Sequence, residues 1–117
     1  MPLEKIAQIA LSTRDLAGAV AFYRDVLGLK LMFEVSGMAF FDAGGTRLMI
    51  GQAHHDGPLQ NNTYLYFDAG DWYTTEAALI ERGLKFDRDA EVVQRAEGKE
   101  HTLRFFKDPD EIGRAHV

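Results

Sequence analysis

Arg47 and a pair of tyrosines are the residues of this chain whose types and spacing best predict a ligand site. Tyr64 and Tyr66 alternate with apolar residues in TYLYFDA, and Arg47 and Met49 do so in TRLMIGQ. Because neighbouring side chains of a strand point to opposite faces, these four should share the face away from the core. Buried tyrosine hydroxyls need polar partners, and an inward guanidinium suits a carboxylate or phosphate. Arg47 at a solvated strand end is the alternative.

Histidines offer acid–base chemistry near neutral pH. His54 and His55 stand together in the polar segment AHHDGPLQNN, which predicts a solvated loop, with a ligand contact from the rim of a pocket as the alternative. His101 begins HTLRFF and is either a hydrogen-bonded structural residue or an acid or base facing a ligand. The chain has no cysteine, which excludes disulfides and thiolate chemistry. No Ser-His-Asp arrangement can be recognised.

Three phenylalanines, Phe33, Phe40 and Phe105, occupy predicted strands. Each is either an ordinary core residue or part of an aromatic wall around a ligand. We include them with the candidate ligand-binding residues.

The predicted strands and helices that would position these residues occur in the same order twice along the chain. KIAQIALST (residues 5–13) predicts a strand, and Asp15 begins the amphipathic helix LAGAVAFYRDVLG. The strands LKLMFEV, GMAFFDAG and TRLMIGQ follow. TYLYFDA, a helix after Asp71, and the strands LKFDRD, EVVQRA, HTLRFFKD and the tail repeat the order. We expect an α+β fold of two tandem βαβββ modules, at about 5–52 and 62–117, within a single domain.

Composition narrows the class of partner. The net charge of −5 offers no basic surface for nucleic acid, and no apolar segment is long enough to cross a membrane. With 46% hydrophobic and 26% charged residues, the chain has the balance of a soluble globular protein. We expect a cytoplasmic location.

Several motifs together resemble the glyoxalase/bleomycin-resistance/ring-cleaving dioxygenase superfamily, the vicinal oxygen chelate proteins. They are QIALSTRDLAGAVAFYRDVLGLKL, MAFFDAGGTRLMI, YLYFDAGDWYTTEAALIERGLKF and RFFKDPD. The resemblance implies paired modules that form a half-barrel with a cavity, and usually a homodimer. It does not fix the function, because this fold serves both metalloenzymes and metal-free binding proteins.

Metalloenzymes of this superfamily place one His, Gln or Glu ligand in each of four strands. The resemblance carries these positions onto Gln8, Met49, Tyr64 and Ala115, of which only Gln8 offers a tolerable donor. A one-residue shift would bring in His116 but would turn every other side chain of that strand to the opposite face. The tail reads DPDEIGRAHV, where relatives resemble DPDGN and an aliphatic strand, so we expect it to close the second sheet without the family carboxylate.

These observations favour a binding protein that sequesters a small organic molecule or antibiotic, with no metal, no other cofactor and no catalytic residue. The predicted site consists of nine residues: Gln8, Phe33, Phe40, Arg47, Met49, Tyr64, Tyr66, His101 and Phe105. One alternative is a metal-dependent lyase or isomerase resembling glyoxalase, or a relative of the ring-cleaving dioxygenases. Another is an interaction module whose own side chains fill its cavity.

Overall fold

The computed structural model describes residues 2–54, 59, 65–86, 91–96, 99–109 and 113–116, with side chains described for 2–54, 59, 65–86 and 104–109. The chain divides into two compact units, residues 1–61 and 62–117. Within the described residues, each unit contains one four-stranded sheet, in the orders β1-β4-β3-β2 and β5-β8-β7-β6, and one α-helix. The α+β class predicted from the sequence is confirmed.

The first unit is built on four strands and one helix. The strands are β1 (Gln8–Thr13), β2 (Lys30–Val35), β3 (Met38–Ala43) and β4 (Thr46–Gln52). Helix α1 (Leu16–Ala21) continues into a π-helical turn over Phe22–Val26. The side chain of Asp15 accepts a hydrogen bond from Gly18 N, as expected of an N-cap.

The helix covers one face of the first sheet. Apolar side chains buried between them include Leu48 and Ile50 from the central strand β4, and Phe41 from β3; on the helix side, Val20 and Tyr23 are buried. The exposed fractions of Leu48 and Ile50 are only 2% and 1%. The predicted alternation of TRLMIGQ is therefore correct, because its aliphatic residues form the core.

Strand register defines the other face, which we call the helix-free face of the first unit. Three rows of paired residues cross it: Gln8–Arg47–Asp42, Ala10–Met49–Phe40–Phe33, and Ser12–Gly51–Met38–Val35. A β-bulge between Leu31 and Phe33 inserts one residue into β2. Because one extra residue reverses the alternation, the bulge places Phe33 opposite Phe40 and not in the row of Leu31.

The second unit has the corresponding elements. They are β5 (Leu65–Phe67), α2 (Trp72–Glu81), β6 (Glu91–Ala96), β7 (Lys99–Lys107) and β8 (Gly113–His116). Strand β8 pairs with β5 in parallel and with β7 antiparallel, so the tail closes the second sheet as predicted. Among the residues described, neither helix is long and apolar enough to span a membrane.

The boundaries of two predicted strands need correction. Residues 5–7 lie outside β1, although Ala7 O still accepts a hydrogen bond from Arg47 N of β4 at 3.0 Å. Of the three described residues of LKFDRD, only Phe86 forms a β-bridge, to Phe106 of β7; the other three residues of that segment lie outside the described residues.

Both predicted helices also differ in detail. The first leaves α-helical geometry at Phe22, six residues before Gly28. Asp71 occupies the N-cap position of α2, but its carboxylate accepts a hydrogen bond from the Thr74 hydroxyl at 2.6 Å and none from a backbone N–H. Gly83 follows α2 with a φ of +93°, the left-handed conformation expected where a helix stops.

Candidate functional site

The central feature of the helix-free face is a guanidinium above two stacked rings. Phe33 and Phe40 have ring centroids 4.6 Å apart with an interplanar angle of 22°. The guanidinium carbon of Arg47 lies 5.8 Å from the centroid of Phe33 and 5.5 Å from that of Phe40. These distances allow a cation–π interaction with both rings. Phe40 is buried, whereas 41% of Phe33 remains exposed.

Arg47 keeps its hydrogen-bonding capacity for a ligand. Within the part of the chain that the structure describes, its guanidinium has neither an ion-pair nor a hydrogen-bond partner. The carboxylate of Asp42, its neighbour in register, accepts a hydrogen bond from Gly45 N at 2.9 Å. A guanidinium fork held by rings and free of a carboxylate can receive an anion.

A cavity of about 370 Å³ opens beside this guanidinium. Its lining includes Gln8, Met32, Asp42 and Arg47, so two of the nine predicted site residues lie in it. We call it the Arg47 cavity. Its walls combine an amide, a thioether, a carboxylate and a guanidinium, which suits a ligand with both polar and apolar parts.

A second cavity of about 290 Å³ lies at the other end of the same face. Ser12, Gly51 and Met38, which form one row of the sheet, line it together with Met49 and His54. We call it the Gly51 cavity. His54 thus lies at a pocket, as in the rim alternative, whereas His55 lies outside the described residues.

The predicted residues of the second unit are partly brought together. Tyr66 is 52% exposed and meets Phe105 edge to face, with centroids 6.4 Å apart. They share one row of the sheet with Ala115. His101 pairs with Gln94 and has the same strand parity as Phe105. Tyr64 lies outside the described residues.

Taken together, the described residues at the family metal positions do not fit a divalent ion, and the remaining position, Tyr64, lies outside the described residues. Gln8 offers one amide oxygen, Met49 a thioether and Ala115 no donor at all. Thioethers are poor ligands for hard or borderline divalent ions, and such sites need at least three converging donors. Among the described residues, no group of three or more His, Asp or Glu side chains could hold a metal ion.

Sequence reasoning missed several residues that line these cavities. Met32 reaches the Arg47 cavity through the bulge in β2, which no sequence pattern announces. Asp42 has the strand parity of Phe40 and could have been found from it. Gly51 was the clearest missed signal, because a glycine inside a β-rich segment often marks a close approach by a ligand.

Comparison with solved structures shows which proteins share this fold. A solved glyoxalase/bleomycin resistance protein/dioxygenase from Alicyclobacillus acidocaldarius is 22% identical, with a TM-score of 0.73 and coverage of 99% of this chain and 92% of that one. A protein from the mobile metagenome of V. Pseudocholerae is 20% identical, with a TM-score of 0.79 and coverage of 99% and 95%. A lactoylglutathione lyase from Agrobacterium tumefaciens is 21% identical, with a TM-score of 0.73 and coverage of 99% and 94%. At these identities the likeness shows the fold alone.

A search of curated proteins found no match. The profile of the Glyoxalase/Bleomycin resistance protein/Dioxygenase superfamily matches residues 5–113, nearly the whole chain. The chain therefore belongs to the Glyoxalase/Bleomycin resistance protein/Dioxygenase superfamily.

Proposed function

We propose that this protein binds a small organic anion with a flat apolar body, and that binding uses no metal at the four family positions. The observation that supports the proposal is the uncommitted guanidinium of Arg47 above the stacked rings of Phe33 and Phe40. In this proposal the protein sequesters its ligand, because the amide of Gln8 and the thioether of Met49 suit poorly the divalent ion that would activate a water.

The side chain of Arg47 is preorganised for binding an anion. A free arginine side chain loses rotamer entropy when it binds an anion, but contact with two rings already restricts Arg47. Its planar fork can give two parallel hydrogen bonds to a carboxylate. The exposed part of Phe33 offers a flat ligand a surface for stacking beside that fork.

Other predicted residues of each unit belong to the proposal. Gln8 can donate or accept a hydrogen bond at the Arg47 cavity, and Met49 supplies an adaptable apolar contact. In the second unit, the exposed Tyr66 and the half-buried Phe105 form an aromatic pair, to which the proposal adds Tyr64 and His101. We also propose that the protein is cytoplasmic and forms a homodimer. Sedimentation equilibrium would test the oligomeric state.

The test is titration calorimetry with 2-naphthoate in the presence of EDTA. Arg47→Met keeps an apolar stem but removes the fork, so we expect binding to weaken at least tenfold, the equivalent of about 1.4 kcal/mol. Neutral 2-naphthamide should bind the native protein correspondingly less well. The matched control is Arg82→Met, which changes an exposed arginine after α2 and should leave affinity within about twofold.

Two results would overturn the proposal. One is an absence of 2-naphthoate binding up to millimolar concentrations, and the other is equal binding by the native and Arg47→Met proteins. Binding that appears only after Ni²⁺ or Zn²⁺ is added would instead favour the metal-dependent lyase alternative.

A further inference from the structure

We infer that the Gly51 cavity is a second subsite for the same ligand, and that it receives a neutral, hydrogen-bonding end of an elongated molecule. The inference rests on the proposed function, because the anionic end of that molecule would lie at Arg47. The second subsite extends the proposed function by specifying the length of the ligand and the chemistry of the end that lies away from Arg47.

The first support is that neither backbone geometry nor packing requires glycine at position 51. Gly51 lies inside the central strand β4 and is not among the residues with a positive φ. A Cβ built there would meet no atom closer than Met38 Cγ, at 3.8 Å, which is an ordinary contact. A glycine within a strand also weakens that strand. What the missing side chain does create is open space at the cavity.

The chemistry of the lining supports a neutral ligand group. Ser36 and His54 bring a hydroxyl and an imidazole to the cavity, and no Asp, Glu, Lys or Arg is found among the described residues that line it. The amide of Gln52 is already committed to hydrogen bonds with backbone groups. A hydroxyl or primary amide fits this lining better than a second charge, which would lose hydration without an opposite charge nearby.

The sheet sets the length of the ligand. Arg47 and Gly51 are four residues apart on β4 and share one face, so at about 3.3 Å per residue their Cα atoms lie roughly 13 Å apart, and the ligand spans no more than that because the Arg47 guanidinium lies over Phe40. The row between them is apolar and contains Met49, Phe40 and Phe33. The ligand class is therefore a rod with an anionic end, a flat apolar middle and a neutral polar end.

The test compares a short probe with a long one. 2-Naphthoate should occupy only the Arg47 end, whereas 4′-carbamoylbiphenyl-4-carboxylate should reach both ends and bind more tightly. Gly51→Val fills the cavity and should weaken binding of the long probe at least tenfold while leaving 2-naphthoate within about twofold. Gly51→Ala, whose added methyl has room, should show a smaller loss for the long probe alone. Arg47→Met should weaken both probes.

The two proposals fail in distinguishable ways. If 2-naphthoate binding depends on Arg47 but Gly51→Val and Gly51→Ala leave the long probe unaffected, the subsite is wrong and the proposed function stands. If Arg47→Met leaves both probes unaffected, the proposed function is wrong and the subsite falls with it. Amide NMR spectra establish whether each variant is folded. If the Gly51→Val protein does not fold, the Gly51→Ala protein provides the test of the subsite.

Discussion

The side chain of Gln52, at the end of β4, forms hydrogen bonds with the backbone around the start of α1. Its replacement by Met should destabilise the first unit. Its Oε1 accepts a hydrogen bond from Leu16 N at 2.9 Å, which satisfies the first backbone N–H of the helix. Its Nε2 donates to the carbonyl oxygens of Arg14 at 2.6 Å and Ala53 at 3.2 Å. Methionine preserves the length of the side chain and removes all three bonds.

The expected loss follows from these contacts. The two shorter bonds should each contribute about 1 kcal/mol net, and the longer one little, so Gln52→Met should lower the free energy of unfolding by about 2 kcal/mol. Gln52→Glu keeps an acceptor for Leu16 N but loses both donors, and it places a negative charge at the helix N-terminus, so about half that loss is expected.

Urea unfolding followed by circular dichroism measures this effect as a change in the midpoint at constant m-value. Gln8→Met is the matched control, because Gln8 is an exposed glutamine on the same sheet and the change should alter stability by less than about 0.5 kcal/mol. Equal stability of the Gln52→Met and Gln8→Met proteins would refute the reasoning.

Substitutions at three further sites test other parts of the fold by the same unfolding measurement. Ser36 has a φ of +45° in the turn before Gly37, a conformation that Asn tolerates and a β-branched residue does not. Ser36→Asn should therefore stabilise the protein by about 0.5 kcal/mol, and Ser36→Val should destabilise it by about 1–2 kcal/mol. The reverse order would contradict the turn assignment. Gly51→Ala should stabilise by about 0.5–1 kcal/mol, since it removes backbone freedom from the unfolded chain, and a clear loss would mean that the site lacks room. Arg104 forms an ion pair with Glu76 and lies 4.4 Å from the ring centroid of Phe86, so Arg104→Met should cost about 2 kcal/mol. Adding Glu76→Gln should recover part of that loss, whereas simple additivity would show that the pair is not coupled.

Some of the fold could be read from the sequence because local rules and tertiary packing agree there. In TRLMIGQ the alternation that predicts a strand also places Leu48 and Ile50 in the core beneath the helix. Asp15 and Gly83 act through local backbone chemistry, which needs no knowledge of distant residues.

The candidate site was harder to predict because it depends on register. Leu31 and Phe33 have the same parity in sequence, and only the bulge moves Phe33 onto the helix-free face beside Phe40. The position of Arg47 over both rings then follows from the pairing of β3 with β4, which joins segments on either side of a turn. Alternation along one strand therefore indicated which face Arg47 occupies but not what it contacts.

The central claim is that an organic anion binds at Arg47 without a metal. A crystal structure of the complex with 2-naphthoate, grown in the presence of EDTA, tests it most directly. We expect the carboxylate about 2.8 Å from the guanidinium nitrogens of Arg47, with the naphthalene ring against Phe33. A carboxylate bound elsewhere, or one that appears only when a metal ion is supplied, would contradict it.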